Sequence, residues 1–212
     1  FNIKKNDKLK LIWFHAASVG ELKSIIPIID HLNKDETELE FLVTTVTLSS
    51  AYLADLELKK KNIHHRFLPV DVKFLIKNFL ILWKPKAIFL VDSEIWPNLI
   101  SIANERKIPL ALLNARITKK TFTRWSLIPS FAKTLFNKFD LCLTSNFETK
   151  EYLNHLNAKN IHYIGNIKFC ESNNKKNNND NEISLLSKSF WLAASTHKGE
   201  EEFCLSAHLE IK

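Results

Sequence analysis

Short apolar runs alternate along the chain with segments whose apolar positions recur at helical spacing. Leu9–Ala16 (LKLIWFHA) reads as a buried strand, and Glu21–Leu32 as the helix after it, with Leu22, Ile25, Ile26 and Ile29 on one side. Leu39–Val46 is rich in β-branched residues and predicts a second strand. Ser49–Lys60 follows as a helix with Tyr52, Leu53 and Leu56 at helical spacing, and Ile63–Leu68 as a third strand. Val72–Trp83 is helical, and Pro85 closes it before the strand Ala87–Val91. Pro97–Arg106 starts on a proline, whose missing N–H costs nothing in a first turn. Next come the strand Ile108–Leu113 and a long basic-aromatic helix, Lys119–Phe136, which Pro129 should kink. Strand Asp140–Leu143, helix Phe147–Leu156 and strand Ile161–Ile164 complete the series.

Strands separated by helices of this length imply βαβ units, hence an α/β domain with a parallel sheet and helices on both faces. The strands are near-continuously apolar, as a sheet buried on both sides requires. Glu171–Glu182 (ESNNKKNNNDNE) holds no apolar residue and reads as a linker or loop. Beyond it, Ser189–Ala194 predicts a new strand and Gly199–Ile211 its helix. The expected organisation is a first domain over 1–170, a linker over 171–182, and the start of a second α/β domain over 183–212.

The 212 residues carry 30 basic and 23 acidic side chains, a formal charge of +7, with 45% hydrophobic residues, a globular balance. No apolar run approaches the ~20 residues that span a bilayer. The charge suits nucleic acid or an anionic membrane surface, although Lys and Asn are used so freely throughout that coding bias also accounts for it. Cys142, Cys170 and Cys204 share no CxxC-type spacing and fit a reducing cytosol. The chain opens on Phe1, contains no Met and stops inside a helical stretch, so we expect a fragment of a longer protein.

The three glycines, Gly20, Gly165 and Gly199, each stand at a strand end among polar groups: HAASVGE, IGNIKF and AASTHKGEE. In so glycine-poor a chain each is expected to hold a backbone conformation or a close approach that other residues cannot supply. Ligands of open α/β sheets bind outside the carboxyl ends of the strands, which makes these the first candidate sites. In HAASVGE, Glu21 lies beside a helix N-terminus, where the dipole is expected to lower its pKa and keep it ionised as a general base. The same Ser18-x-x-Glu21 pattern is also a capping box.

VDSEIWPN puts Asp92 and Glu94 directly after a buried strand, where one or both face a cleft, or else Ser93 or Glu94 caps the next helix. Ser195, Thr196 and His197, ahead of the helix near Gly199, form a candidate phosphate cradle without a Walker pattern. No metal-ligand spacing occurs among the histidines, and no metal site is expected. Lys119–Phe136 mixes cations with aromatic and aliphatic groups, fitting either a membrane interface or a helix packed by one face on the sheet.

In order, the chain shows WFHAASVGE (Trp13–Glu21), TTVT (Thr44–Thr47), FLPVD (Phe67–Asp71), VDSEIWPN (Val91–Asn98), LNAR (Leu113–Arg116), IGNIKF (Ile164–Phe169) and WLAASTHKGEE (Trp191–Glu201). This set resembles the bacterial Kdo transferases, the 3-deoxy-D-manno-octulosonic acid transferases of lipopolysaccharide synthesis, over nearly the whole chain. The resemblance implies a GT-B glycosyltransferase of two Rossmann-like domains, here an acceptor-side domain and the truncated beginning of the donor-side one. It implies an inverting transfer of Kdo from CMP-Kdo to a lipid A precursor at the cytoplasmic face of the inner membrane, without cofactor or metal. Its partners would be those substrates and an anionic membrane surface, not nucleic acid.

By the family pattern Glu21 is the general base, with Glu94 and Lys168 as supporting catalytic residues. Ser18, Gly20, Arg116, Ser195, Thr196 and His197 fall to substrate binding. Three departures stand out: Leu48–Ala51 where the family has a glycine, Asp92 for Glu, and Cys170 for Asp. Another GT-B sugar-nucleotide transferase or epimerase, or an inactive remnant of the enzyme, are the alternative readings.

Overall fold

Successive residues of each strand point to opposite faces, and here both faces are apolar. Leu11 and Trp13, Leu42, Ile88 and Leu90, and Leu110 and Leu112 enter one core, while Phe14, Phe41, Val43 and Val91 enter the other. The computed structural model describes residues 6, 8–36, 38–169, 193–194 and 196–211. Within them, seven strands form one sheet: β1 (Lys10–His15), β2 (Leu39–Thr45), β3 (Ile63–Phe67), β4 (Ala87–Val91), β5 (Leu110–Ala115), β6 (Leu141–Thr144) and β7 (Ile161–Tyr163).

Every pairing is parallel, and the spatial order is β3-β2-β1-β4-β5-β6-β7. Helices α3 (Lys73–Trp83), α4 (Pro97–Glu105), α6 (Pro129–Phe136) and α7 (Phe147–His155) supply the first core. Helices α1 (Val19–Asp35) and α2 (Leu48–Glu57) cover the other face. Burying a side chain such as Ile25 or Phe41 completely contributes about 1.5–3 kcal/mol, and both are fully buried.

The order reverses beside β1. The chain runs outward through β2 and β3, then returns so that β4 pairs with β1 on its other side: His15 stands opposite Thr44 in β2 and Leu90 in β4. A crevice at the carboxyl ends of β1 and β4 follows from this switch point, because the two outgoing connections diverge to opposite faces.

The main correction concerns Lys119–Phe136, which is two helices, α5 (Lys119–Ser126) and α6 (Pro129–Phe136). Pro129 bends no continuous helix but opens a new one at its first turn, after Ile128 leaves helical backbone. Strand β5 also begins and ends two residues later than expected. Residues 1–172 and 173–212 form separate compact units. In the second, helix α8 (Glu200–Ile211) is described, whereas the linker over 171–182 and most of the strand expected over Ser189–Ala194 lie outside the described residues.

Candidate active site

The loops leaving β1 and β4 carry the acidic residues singled out from sequence. Ser18 caps α1, accepting the Glu21 N–H at 3.4 Å. The Glu21 carboxylate turns back over the same turn, taking the Ala17 N–H on Oε2 at 2.7 Å and the Ser18 hydroxyl on Oε1 at 2.8 Å. The capping box and the crevice acid are therefore one residue.

The Glu21 pKa lies above its ordinary 4.5, opposite to the expectation from the helix dipole. Burial is the main cause. The Ser18 and Ala17 bonds pull the other way, and the negative charges of Glu94 and Asp92 add to the rise. Desolvation outweighs the favourable donors because the side chain is half-buried and not on a fully open helix end.

After β4 the chain turns sharply: Asp92 takes left-handed backbone (φ +63°), and its side chain is buried. Asp92 Oδ2 receives Lys168 Nζ at 2.6 Å. Lys168 arrives there on a short 3-10 turn, Ile167–Phe169, after Gly165 (φ +81°) reverses the chain beyond β7. Asn114 Oδ1, at the end of β5, anchors that turn by accepting the Ile167 N–H at 3.1 Å.

Glu94 faces the opposite way, with Oε2 3.1 Å from His15 Nε2 and 2.8 Å from Trp96 Nε1. Neither Ser93 nor Glu94 caps α4. Asp71, at the close of FLPVD, does so from the β3–α3 loop, its carboxylate accepting the N–H groups of Asn98 and Leu99 at 3.0 and 2.9 Å. Trp96, the residue before the helix, supplies no side-chain cap, so Asp71 takes over that function at a distance.

Glu21, Glu94, Lys168 and Ser18 thus converge at the switch point, with Gly20 on the first turn of α1 and Arg116 just beyond β5. The Arg116 side chain is exposed, and its backbone N–H donates to Asp92 O at 3.3 Å. Gly20 departs from expectation: it sits in helical backbone with open space where a Cβ would lie, so no conformational need for glycine arises there.

In the second unit, Ser195 lies outside the described residues. Thr196 Oγ1 donates to Glu201 Oε1 at 2.9 Å, and the His197 N–H donates to Glu200 Oε2 at 2.8 Å. Donors expected to cradle a phosphate are engaged by the chain's own carboxylates. Backbone N–H groups, Glu201's own first, and the Thr196 hydroxyl hold Glu201 below the usual carboxylate range.

Sequence reasoning passed over two groups that the fold brings in. The sequence sets Asp92 beside Glu94 and carries no sign that Lys168 is its partner. His15, the last residue of β1, is one histidine among several, and its place between the apolar WF and the SVGE loop is the signal that marks it as buried beside the site.

The family described as 3-Deoxy-D-manno-octulosonic-acid transferase (kdotransferase) matches residues 1–171. Similar proteins include 3-deoxy-D-manno-octulosonic acid transferases of Rickettsia bellii, 35% identical over 98% of this chain and 50% of that protein, and of Haemophilus influenzae, 30% identical over 93% and 47%. The chain spans about half the length of the curated relatives it matches. Among solved structures, a Phytolacca americana UGT2 complexed with UDP-2fluoro-glucose and pterostilbene matches 97% of this chain and 65% of its own, with a TM-score of 0.57 at 12% identity. An S. aureus MnaA-UDP co-structure matches 83% and 52%, with a TM-score of 0.55 at 14% identity. These two show a shared fold, that of GT-B glycosyltransferases and sugar-nucleotide epimerases.

Proposed function

The chain belongs to the 3-deoxy-D-manno-octulosonic-acid transferase family, and on that premise we propose that it forms the acceptor-side half of an enzyme transferring Kdo from CMP-Kdo to a lipid A precursor. The observation that carries the reading is Glu21, a half-buried carboxylate at the switch-point crevice whose proton affinity burial has raised. A general base works best when its pKa approaches the working pH, and burial moves Glu21 in that direction.

In the proposed step Glu21 takes the proton of an acceptor hydroxyl. The freed oxygen attacks the anomeric carbon of Kdo from the face opposite CMP, and the bond to the phosphate oxygen breaks, releasing CMP with inversion. Glu94 offers a fixed acceptor to the incoming sugar. Lys168, held by Asp92, places a cation toward the anionic donor, where a preorganised charge in a dry cleft lowers the barrier. Arg116 and Ser18 line the approach, with Gly20 leaving room beside Glu21. By the family pattern Ser195, Thr196 and His197 of the second unit are proposed to serve donor binding, which requires Glu201 and Glu200 to release Thr196 and His197. No cofactor or metal takes part in the proposal.

A membrane-bound acceptor accords with the surface. The turn between α5 and α6 exposes Leu127, Ile128 and Phe131, with Lys120, Arg124 and Lys133 exposed around them. Apolar side chains flanked by cations suit an anionic bilayer surface, here proposed to be the cytoplasmic face of the inner membrane.

The test is a transfer assay with CMP-Kdo and a tetraacylated lipid A precursor in detergent, read as lipid mass. It uses the chain alone and the chain joined to the carboxy-terminal half of the Rickettsia bellii relative. A Kdo-sized gain in either form that Glu21→Gln abolishes is the expected result. No gain in either form, or equal transfer by the Gln variant, overturns the reading.

A further inference from the structure

His15 is a polar side chain of the first unit, engaged through both ring nitrogens, that the proposed step does not use. It is fully buried at the carboxyl end of a central strand, paired on both sides. Its Nδ1 lies 2.9 Å from Thr44 Oγ1 and 3.1 Å from the Thr44 carbonyl oxygen, and its Nε2 lies 3.1 Å from Glu94 Oε2. The neighbouring carboxylate determines where a proton sits. Thr44 Oγ1 also accepts the Trp13 indole N–H at 2.8 Å. A carboxylate can only accept, so Nε2 carries a proton that it donates to Glu94, while Nδ1 faces the Thr44 hydroxyl and carbonyl oxygens. The result is a hydrogen-bonded donor chain from Trp13 through Thr44 and His15 to Glu94, with Trp96 Nε1–H closing on the same Glu94 oxygen at 2.8 Å.

We propose that His15 is a positioning residue that fixes the Glu94 carboxylate from the core of the sheet. Glu94 stands on an irregular loop between left-handed Asp92 and Pro97, and its other support, Trp96, belongs to that same loop. Among the described residues, His15 alone ties its side chain to an element that cannot shift without breaking the sheet. With Oε2 held by two donors, Oε1, which has no partner among the described residues, is presented in one direction as an acceptor for substrate. The catalytic consequence rests on the transfer reading above, whereas the donor chain does not.

Two near-isosteric variants separate positioning from core filling. In His15→Gln the amide nitrogen reaches the place of Nε2 and can still donate to Glu94. In His15→Asn it reaches only the place of Nδ1 and leaves Glu94 held by Trp96 alone. In whichever form is active in the transfer assay, His15→Asn should lower kcat about 100-fold with KM changed less than about threefold, because displacing an active-site group by about 1 Å costs that much. His15→Gln should stay within about tenfold of wild type, with circular dichroism showing both folded. Equal rates for the two variants, or a near-wild-type His15→Asn, overturn the proposal.

Imidazole nitrogen-15 spectra of the 212-residue chain give a readout that does not depend on transfer. They should show Nε2 protonated, with the Nε2–H signal displaced in Glu94→Gln. An unprotonated Nε2, or no response to Glu94→Gln, overturns the inference. If wild type transfers no Kdo while the spectra agree, the transfer reading fails and the positioning geometry stands.

Discussion

Lys168 Nζ and Asp92 Oδ2 meet at 2.6 Å, although 76 positions separate them in the chain. The contact ties the 3-10 turn beyond β7 to the crest of β4 and leaves the Lys side chain one-third exposed toward the crevice, with Asp92 almost covered. Removing the cation leaves a buried carboxylate without its charge partner. Lys168→Met should therefore destabilise the chain by about 1–3 kcal/mol, and Asp92→Asn should recover most of that in the double variant. A urea-denaturation cycle over the four proteins measures the coupling, and additive effects would show the pair to be energetically idle. Asp92 also sits in left-handed backbone, which Asn tolerates and β-branched residues do not, so Asp92→Val should cost more than Asp92→Asn by about 1–2 kcal/mol.

Glu21→Gln separates capping from chemistry. Glutamine can keep the capping-box bonds, its oxygen accepting from Ala17 and its amide donating to Ser18, while it cannot take a proton. Transfer should fall by about 100-fold or more with the fold intact. The pH dependence has a definite sign. Below the ordinary value of 4.5 Glu21 is protonated whether the chain is folded or not, so its ionisation makes no difference there. As pH rises past 4.5 the unfolded chain ionises first, and the folded form loses stability until pH passes the raised folded value. Melting temperatures of wild type and Glu21→Gln, compared at pH 4 and 7, should shift in the variant's favour at the higher pH. The acidic limb of kcat/KM should lie above 4.5 for the same reason. A limb at or below 4.5 would mean that another group is the base.

Asp71 caps α4 from outside the helix, so its loss should be felt as a lost N-cap. Asp71→Ala should cost about 1–2 kcal/mol, and Asp71→Asn less, since its amide oxygen can still accept one N–H. Amide hydrogen exchange at Asn98 and Leu99 reads the cap directly. Unchanged protection in Asp71→Ala would show that the bond contributes little.

Cys142 is fully buried in β6, and burial pushes its thiol up to about 12. With so little thiolate it should resist iodoacetamide in the folded chain and react in denaturant, whereas the partly exposed Cys204 should label at once. Peptide mapping after timed labelling distinguishes them, and fast native labelling of Cys142 would contradict its place in the core.

The turn between α5 and α6 predicts selective association with anionic bilayers. Co-sedimentation with phosphatidylglycerol-containing vesicles should weaken several-fold in Leu127→Ser/Phe131→Ser and in Lys120→Glu/Arg124→Glu, and binding to neutral vesicles should be weaker from the start. Equal binding to both lipids would remove the electrostatic part of the proposal.

Local periodicity determined most of the elements. Strands such as Ala87–Val91 and helices such as Pro97–Glu105 were legible because continuous apolar runs, helical spacing and proline act within a few residues. The ordered motifs likewise pointed to the family before any geometry was known. The split at Pro129 was only half legible, since proline is compatible both with a kink and with the start of a new helix, and packing against the sheet decides between them. Tertiary structure alone decided what the motifs do to one another. Pairing β4 with β1 brings HAASVGE and VDSEIWPN to one crevice and places His15 beneath Glu94, while the rest of the assembled sheet sets Lys168 on Asp92 and gives α4 its cap from Asp71. It also reversed the expected direction of the Glu21 pKa. A helix dipole can be read from sequence neighbours, but desolvation depends on every segment that covers the side chain, and those segments meet only when the sheet is assembled.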